Sequence, residues 1–229
     1  MKKYSEQVFD ARKYAMEQIL TEFPKLKDIS FLMDNFFTVI SNRISEQPIV
    51  NDTLQYKILL CVSFMRTHFV INELILYSSN LEAATLLRKQ IELLARMNEL
   101  KIENIEKLQR KTPCVKHVPW VKKFYGILSE SAHSATIECL DDLGYTMENE
   151  ECKRFYIQPT YSGRTIDLLY LWIELFMMFS VEMIETQSEI FENYDSSVDW
   201  NLILRLIKIG LDSNLDYFDG YKDLNEILK

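Results

Sequence analysis

The residues best suited to chemistry are an arginine, a glutamate, a serine and a histidine on two consecutive helix-like runs. In NLEAATLLRKQIELLARMNEL, from Asn80 to Leu100, Arg88 stands among apolar positions with Glu92 one helical turn later. In YGILSESAHSATIECL, from Tyr125, Ser129 and His133 fall four residues apart on one face. An arginine can steady a phosphate, and an imidazole can take or give a proton near neutral pH. If Arg88, Glu92 and His133 converge at a helix–helix junction, the imidazole could act there as acid or base while Arg88 steadies a phosphate. The same residues admit a plainer account. Ala84 lies about 40° from Arg88 on the helical wheel with Ala95 between them, and the two alanines would let a neighbouring helix approach, leaving the guanidinium partly buried. Glu92 would then be its counter-ion, and the pair would fix helix register. A lone histidine on a face shared with Tyr125, Ala132, Thr136 and Leu140 is more often a core residue whose ring is hydrogen-bonded. Spacing alone leaves both accounts open.

Other chemistries are poorly supported. Cys114-x2-His117 could open a zinc site that Cys139 or Cys152 completes, yet the second pair lacks zinc-knuckle spacing, so no metal is expected. There is no Gly-rich phosphate loop, no Gly-x-Ser-x-Gly elbow and no His-Glu-x2-His, and nothing marks a nucleotide cofactor. His68, with Arg66 and Glu73, sits mid-helix at unhelpful spacings and reads as surface or core filler. Asp141-Asp142 reads as a solvated helix end.

The elements that must position these residues are helices. A chain of 229 residues with 48% hydrophobic and 26% charged residues can bury a sizeable core. Five glycines and five prolines leave little turn chemistry for strands. A net charge of −8 argues against a broad grip on a phosphate backbone. The local run of Arg110, Lys111, Lys116, Lys122 and Lys123 reads first as a solvated face and second as a nucleic-acid contact. Four scattered cysteines, and an opening MKKYSEQVFDARKY without an apolar core, point to free thiols in a reducing cytoplasm.

Helical spacing predicts segments from Tyr4 to about Phe23, Leu26 to about Ile44 and Thr53 to Tyr77, the last capped by Asp52. The turn Ser78-Ser79-Asn80 leads into the Arg88 helix, which is expected to run to about Gln109. An irregular loop over Lys111–Pro119 precedes the His133 helix, Trp120 to about Leu143. A surface excursion over about 144–163, containing at most a short helix, separates it from Thr165–Tyr194. Two helices close the chain, Trp200–Ile209 and about Leu215–Leu228. The apolar stretch IDLLYLWIELFMMFSVEMI is interrupted by Glu174 and Glu182, so a buried central helix is expected and no membrane span. Phe176-Met177-Met178-Phe179 leaves that helix apolar all round, which predicts a central position or a face shared with a partner or second copy. The expected fold is all-α, a single helical bundle of about seven or eight mostly antiparallel helices over 1–229.

The stretch ATLLRKQIELLARMNEL followed by YGILSESAH resembles a group of uncharacterised bacterial all-helical proteins with a Leu-Arg-x3-Glu helix and a following Ser-x3-His helix. The likeness covers roughly Leu74 to Thr136. That group is similar in outline to the HEPN class of helical domains, many of which are RNases or nucleotide-associated partners in toxin–antitoxin and phage-defence systems. The resemblance implies a binding or regulatory module, with Arg88, Glu92, Ser129 and His133 as its polar cluster. The Arg-x4–6-His motif of the ribonuclease members lies on one helix. Here that spacing occurs only from Arg110 to His117, across a loop containing Pro113. A metal-independent RNase or nucleotide-acting enzyme using His133 and Arg88 is the alternative, and a purely structural interaction protein is the third.

Overall fold

In the computed structural model, residues 2–45, 51–119, 121–133, 145–149, 152–155 and 158–213 are described. They form an all-α helical bundle. The helices are α1 (Tyr4–Glu22), α2 (Leu26–Ser45), α3 (Asp52–Leu76), α4 (Asn80–Glu99), α5 (Ile105–Leu108), α6 (Lys122–His133), α7 (Gly163–Ile190) and α8 (Ser197–Asp212). Two compact units are distinguished, one of residues 1–19 with 51–175 and one of residues 20–50 with 176–229.

In the first unit, α3 and α4 form a helical hairpin. Asn51, extended at φ −155°, caps α3 by accepting a 2.8 Å hydrogen bond from the Leu54 amide. The cap is thus one residue earlier than expected. Asp52 becomes the first helical residue, where the helix dipole favours its charge. The turn into α4 passes through Ser78 at φ 51°. The buried stripe of α3 (Phe64, Ile71, Ile75) meets that of α4 (Ala84, Leu87, Ile91, Leu94). Gln90 donates to the Phe64 carbonyl at 3.1 Å, pinning the two helices at matched distances from the turn. The start of α7 joins this unit through Asn80, Ser162 and Thr165, with Thr165 donating to Asn80 Oδ1 at 3.2 Å. Further along, the Trp172 indole donates to the His68 carbonyl at 3.0 Å.

The helix α4 ends at Glu99 rather than near Gln109. The Ile102 and Glu103 amides both close back on the Glu99 carbonyl, while Arg96 and Glu99 bind backbone of the following segment. The expected irregular loop holds a 3-10 turn, Val115–His117. Within the expected excursion, Tyr145–Asn149 and Cys152–Phe155 form a short antiparallel hairpin, not a helix, with Tyr145 opposite Phe155 and an irregularity between Met147 and Asn149. The run lacks apolar residues at helical spacing, and tyrosine, threonine and phenylalanine favour strands.

In the second unit, Phe36 and Phe37 of α2 meet Phe176 edge-on at 5.5 and 5.4 Å, and Phe37 meets Phe179 at 5.7 Å. Ile203, Leu206 and Ile207 of α8 are also buried. Phe176 and Phe179 are therefore core, and the all-round apolar pattern reflects a central helix. Asp195 accepts the Ser197 amide at 2.9 Å at the start of α8, as a polar cap region predicts. By length and composition one described helix could cross a membrane, and it is α3, not the Ile166 stretch. Thr136, Leu140, Cys139, Asp141-Asp142 and the last expected helix, Leu215–Leu228, lie outside the described residues.

Candidate functional site

Three of the four candidate residues converge where α6 packs on α4. Ala84 and Ala95, beside Arg88 on the helix surface, are fully buried, so the neighbouring helix can come close. Arg88 Nε pairs with Glu92 Oε1 at 3.2 Å along α4, the two side chains being 22% and 26% exposed. From α6, Tyr125 and His133 reach the same guanidinium. Arg88 Nη2 donates to the Tyr125 hydroxyl at 3.4 Å, and that hydroxyl donates to Glu92 Oε1 at 2.7 Å. The guanidinium carbon stands 5.3 Å from the Tyr125 ring centre, in cation–π range. Arg88 Nη1 contacts His133 Nε2 at 2.9 Å, and His133 is exposed.

Guanidinium nitrogens only donate, so His133 Nε2 must be the acceptor. The arrangement requires a neutral imidazole carrying its proton on Nδ1. Tyr125 is a relay, accepting from Arg88 while donating to Glu92. Its hydroxyl is held above its ordinary range, chiefly by burial and then by its bond to Glu92. Arg88 is pushed further toward its charged form, chiefly by the Tyr125 hydrogen bond and against the cost of burial. Arg88 Nη1 and Nη2 each commit one N–H, to His133 and to Tyr125, while Nε faces Glu92 as an ion pair without hydrogen-bond geometry. Among the described residues the second N–H of each Nη has no protein acceptor. The plus charge of Arg88 is balanced by Glu92, and the free donors lie beside an exposed imidazole.

Ser129 lies one turn from both Tyr125 and His133 and is half-buried, but among the described residues no hydrogen bond ties it to the cluster. Tyr125 is the member whose role was overlooked. Its spacing from Ser129 and His133 placed it on their face, but nothing in the sequence marked it as the link between Arg88 and Glu92.

A second polar cluster follows from the early end of α4. Arg96 donates to the Leu108 carbonyl at 2.7 Å and to the Lys111 carbonyl, and Glu99 accepts the Cys114 amide at 2.7 Å. Glu99, Cys114 and His117 place one ligand-type atom each within 4.8 Å of one another. Cys139 and the Cys152 side chain, expected to complete such a site, lie outside the described residues. The Glu99 carboxylate is already engaged there, by the Cys114 amide and by Arg96 at 3.4 Å, whose charge opposes a second cation. The pair serves as a clamp that fastens the loop after α5 to the end of α4.

Arg110, Lys111, Lys116 and Lys122 of the basic run are all exposed, as a solvated face requires. A cleft of about 150 Å³ lies between α6 and α7, lined by Phe124, Ile127, Leu128, Arg164, Asp167 and Leu168 among others. It is smaller than pockets that enclose drug-sized ligands, and the Arg88 cluster does not line it. The candidate site is therefore a surface rim. No protein-family model, curated protein or solved structure matches this chain.

Proposed function

We propose that this chain is a helical binding and regulatory module of the HEPN-like sort, which takes a phosphate group of an RNA or a nucleotide at the Arg88–His133 rim. The observation that carries this reading is the 2.9 Å contact between Arg88 Nη1 and an exposed His133. Glu92 and Tyr125 hold the arginine from behind, and the imidazole occupies the place where a phosphate oxygen would accept. An arriving phosphate takes over that acceptor role from the imidazole.

The geometry supports binding more than catalysis. In the contact seen, His133 Nε2 is occupied by an arginine donor, so it cannot act as base without leaving it. Tyr125 and Glu92 are committed to each other, which leaves no ready second acid–base group. A purely structural reading has one observation in its favour. The second unit carries the same trio, Arg43, Asp199 and Tyr194, with Tyr194 donating to Asp199 and Arg43 stacked 5.4 Å from the Tyr194 ring. There the trio has no histidine partner among the described contacts and acts as a clamp.

Fluorescence anisotropy with a dye-labelled oligoribonucleotide separates these readings. Wild type should bind and leave the RNA intact. Loss of the charged contact in Arg88→Gln should weaken binding roughly tenfold or more. Equal binding by wild type and Arg88→Gln would refute the reading, and RNA breakdown lost in His133→Ala would install the nuclease in its place.

A further inference from the structure

The outward face of α3 carries a stripe at helical spacing: Leu59, Val62, Arg66, Phe69, Val70, Glu73 and, at its end, Tyr77. All seven are exposed, Leu59 by 57% and Val70 by 46%. Arg66 and Glu73 fall near the centre line of this apolar stripe. Seven residues apart, they are about 10 Å apart along the axis and cannot meet within one helix. Among the described residues neither has an ion-pair partner. A solvated face would not need apolar neighbours on both sides of its charges, and an apolar membrane face would not place two opposite charges at its centre.

We propose that α3 pairs with α3 of a second copy, antiparallel, about a two-fold axis between Phe69 and Val70. Position i then faces position 139 − i of the partner copy. Arg66 meets Glu73, Phe69 meets Val70 and Val62 meets Tyr77, each twice, as two-fold symmetry requires. The match is self-complementary in charge and in apolar residues together. The overlap, residues 62–77 of each copy, gives a contact line about 24 Å long. Tyr77, with the Arg12 guanidinium 5.7 Å from its ring, marks one end.

The test is sedimentation velocity over a wide concentration range, on the full chain, with circular dichroism to check folding. Wild type should sediment as a dimer. Arg66→Glu and Glu73→Arg should each give folded monomers, because every single reversal sets like charges face to face twice. The double reversal R66E/E73R should restore the dimer. Val70→Lys, which puts a charge at the two-fold axis, should also give a monomer. The proposal fails if wild type is monomeric throughout, whether or not it binds phosphatidylcholine–phosphatidylglycerol vesicles. It fails equally if the single reversals remain dimeric, or if the folded double reversal stays monomeric.

Discussion

His68 shows how far a single residue's environment can move its chemistry. It is fully buried, stacked between Trp172 at 4.6 Å and Phe64 at 5.7 Å, both rings within 19° of parallel. Burial lowers its pKa to about 3, against a weaker opposing effect of a hydrogen bond with Gln90. The unfolded chain takes up a proton near pH 6.5 and the native state does not, so stability is lost as pH falls from about 6.5 toward 3. By pH 4.5 that single group costs about 2–3 kcal/mol, or very roughly 5–10 °C in melting temperature. Melting curves at pH 7 and pH 4.5 should show a smaller pH-dependent drop for His68→Phe than for wild type. An equal drop would mean that other groups carry the acid sensitivity. At this scale the sequence was only partly legible. Helical spacing identified Arg88, Glu92 and His133, because residues one turn apart share a face whatever the fold. The same spacing dismissed His68 as filler, since nothing in a helix's own periodicity reveals the indole that a distant helix lays over it.

At the scale of elements, the helices were legible and their ends were not. Apolar periodicity runs through α1, α2, α3 and α7, and each lies within a few residues of its expected span. Between Glu99 and Gln109 the periodic pattern continued while the helix stopped. Arg96 and Glu99 there bind backbone of the following loop, an exchange of partners that no spacing rule encodes. The same kind of polar fastening holds α8. Asp199, fully buried in its first turn, pairs with Arg43 of α2 at 2.5 Å and accepts from Tyr194. Removing one partner of such a pair leaves a charge poorly compensated. Asp199→Ala should therefore cost about 3 kcal/mol, a fall of roughly 6–12 °C in melting temperature. Calorimetry checks this directly, and an unchanged midpoint would show that Arg43 finds water instead.

For the whole molecule, composition bounded function more firmly than any motif. With a net charge of −8, a phosphate contact has to rest on locally concentrated donors. The proposed rim at Arg88 is where the described residues bring an arginine and an exposed histidine together. The convergence of α4 and α6 was not legible, because periodicity says which face of a helix is buried and not which helix covers it. The exposed stripe of α3 was hidden for the same reason. Its residues look like core until the hairpin with α4 shows which of them stay outside.

The most direct measurement is the nitrogen NMR of the His133 imidazole, with and without a short oligoribonucleotide, in wild type and in Arg88→Gln. The free protein should show the neutral ring protonated on Nδ1, as acceptance from Arg88 requires. Adding RNA should displace His133 from Arg88 and shift its ring signals in wild type, and leave them unmoved in Arg88→Gln. A His133 signal indifferent to RNA, or one that responds equally without Arg88, would contradict phosphate binding at this rim.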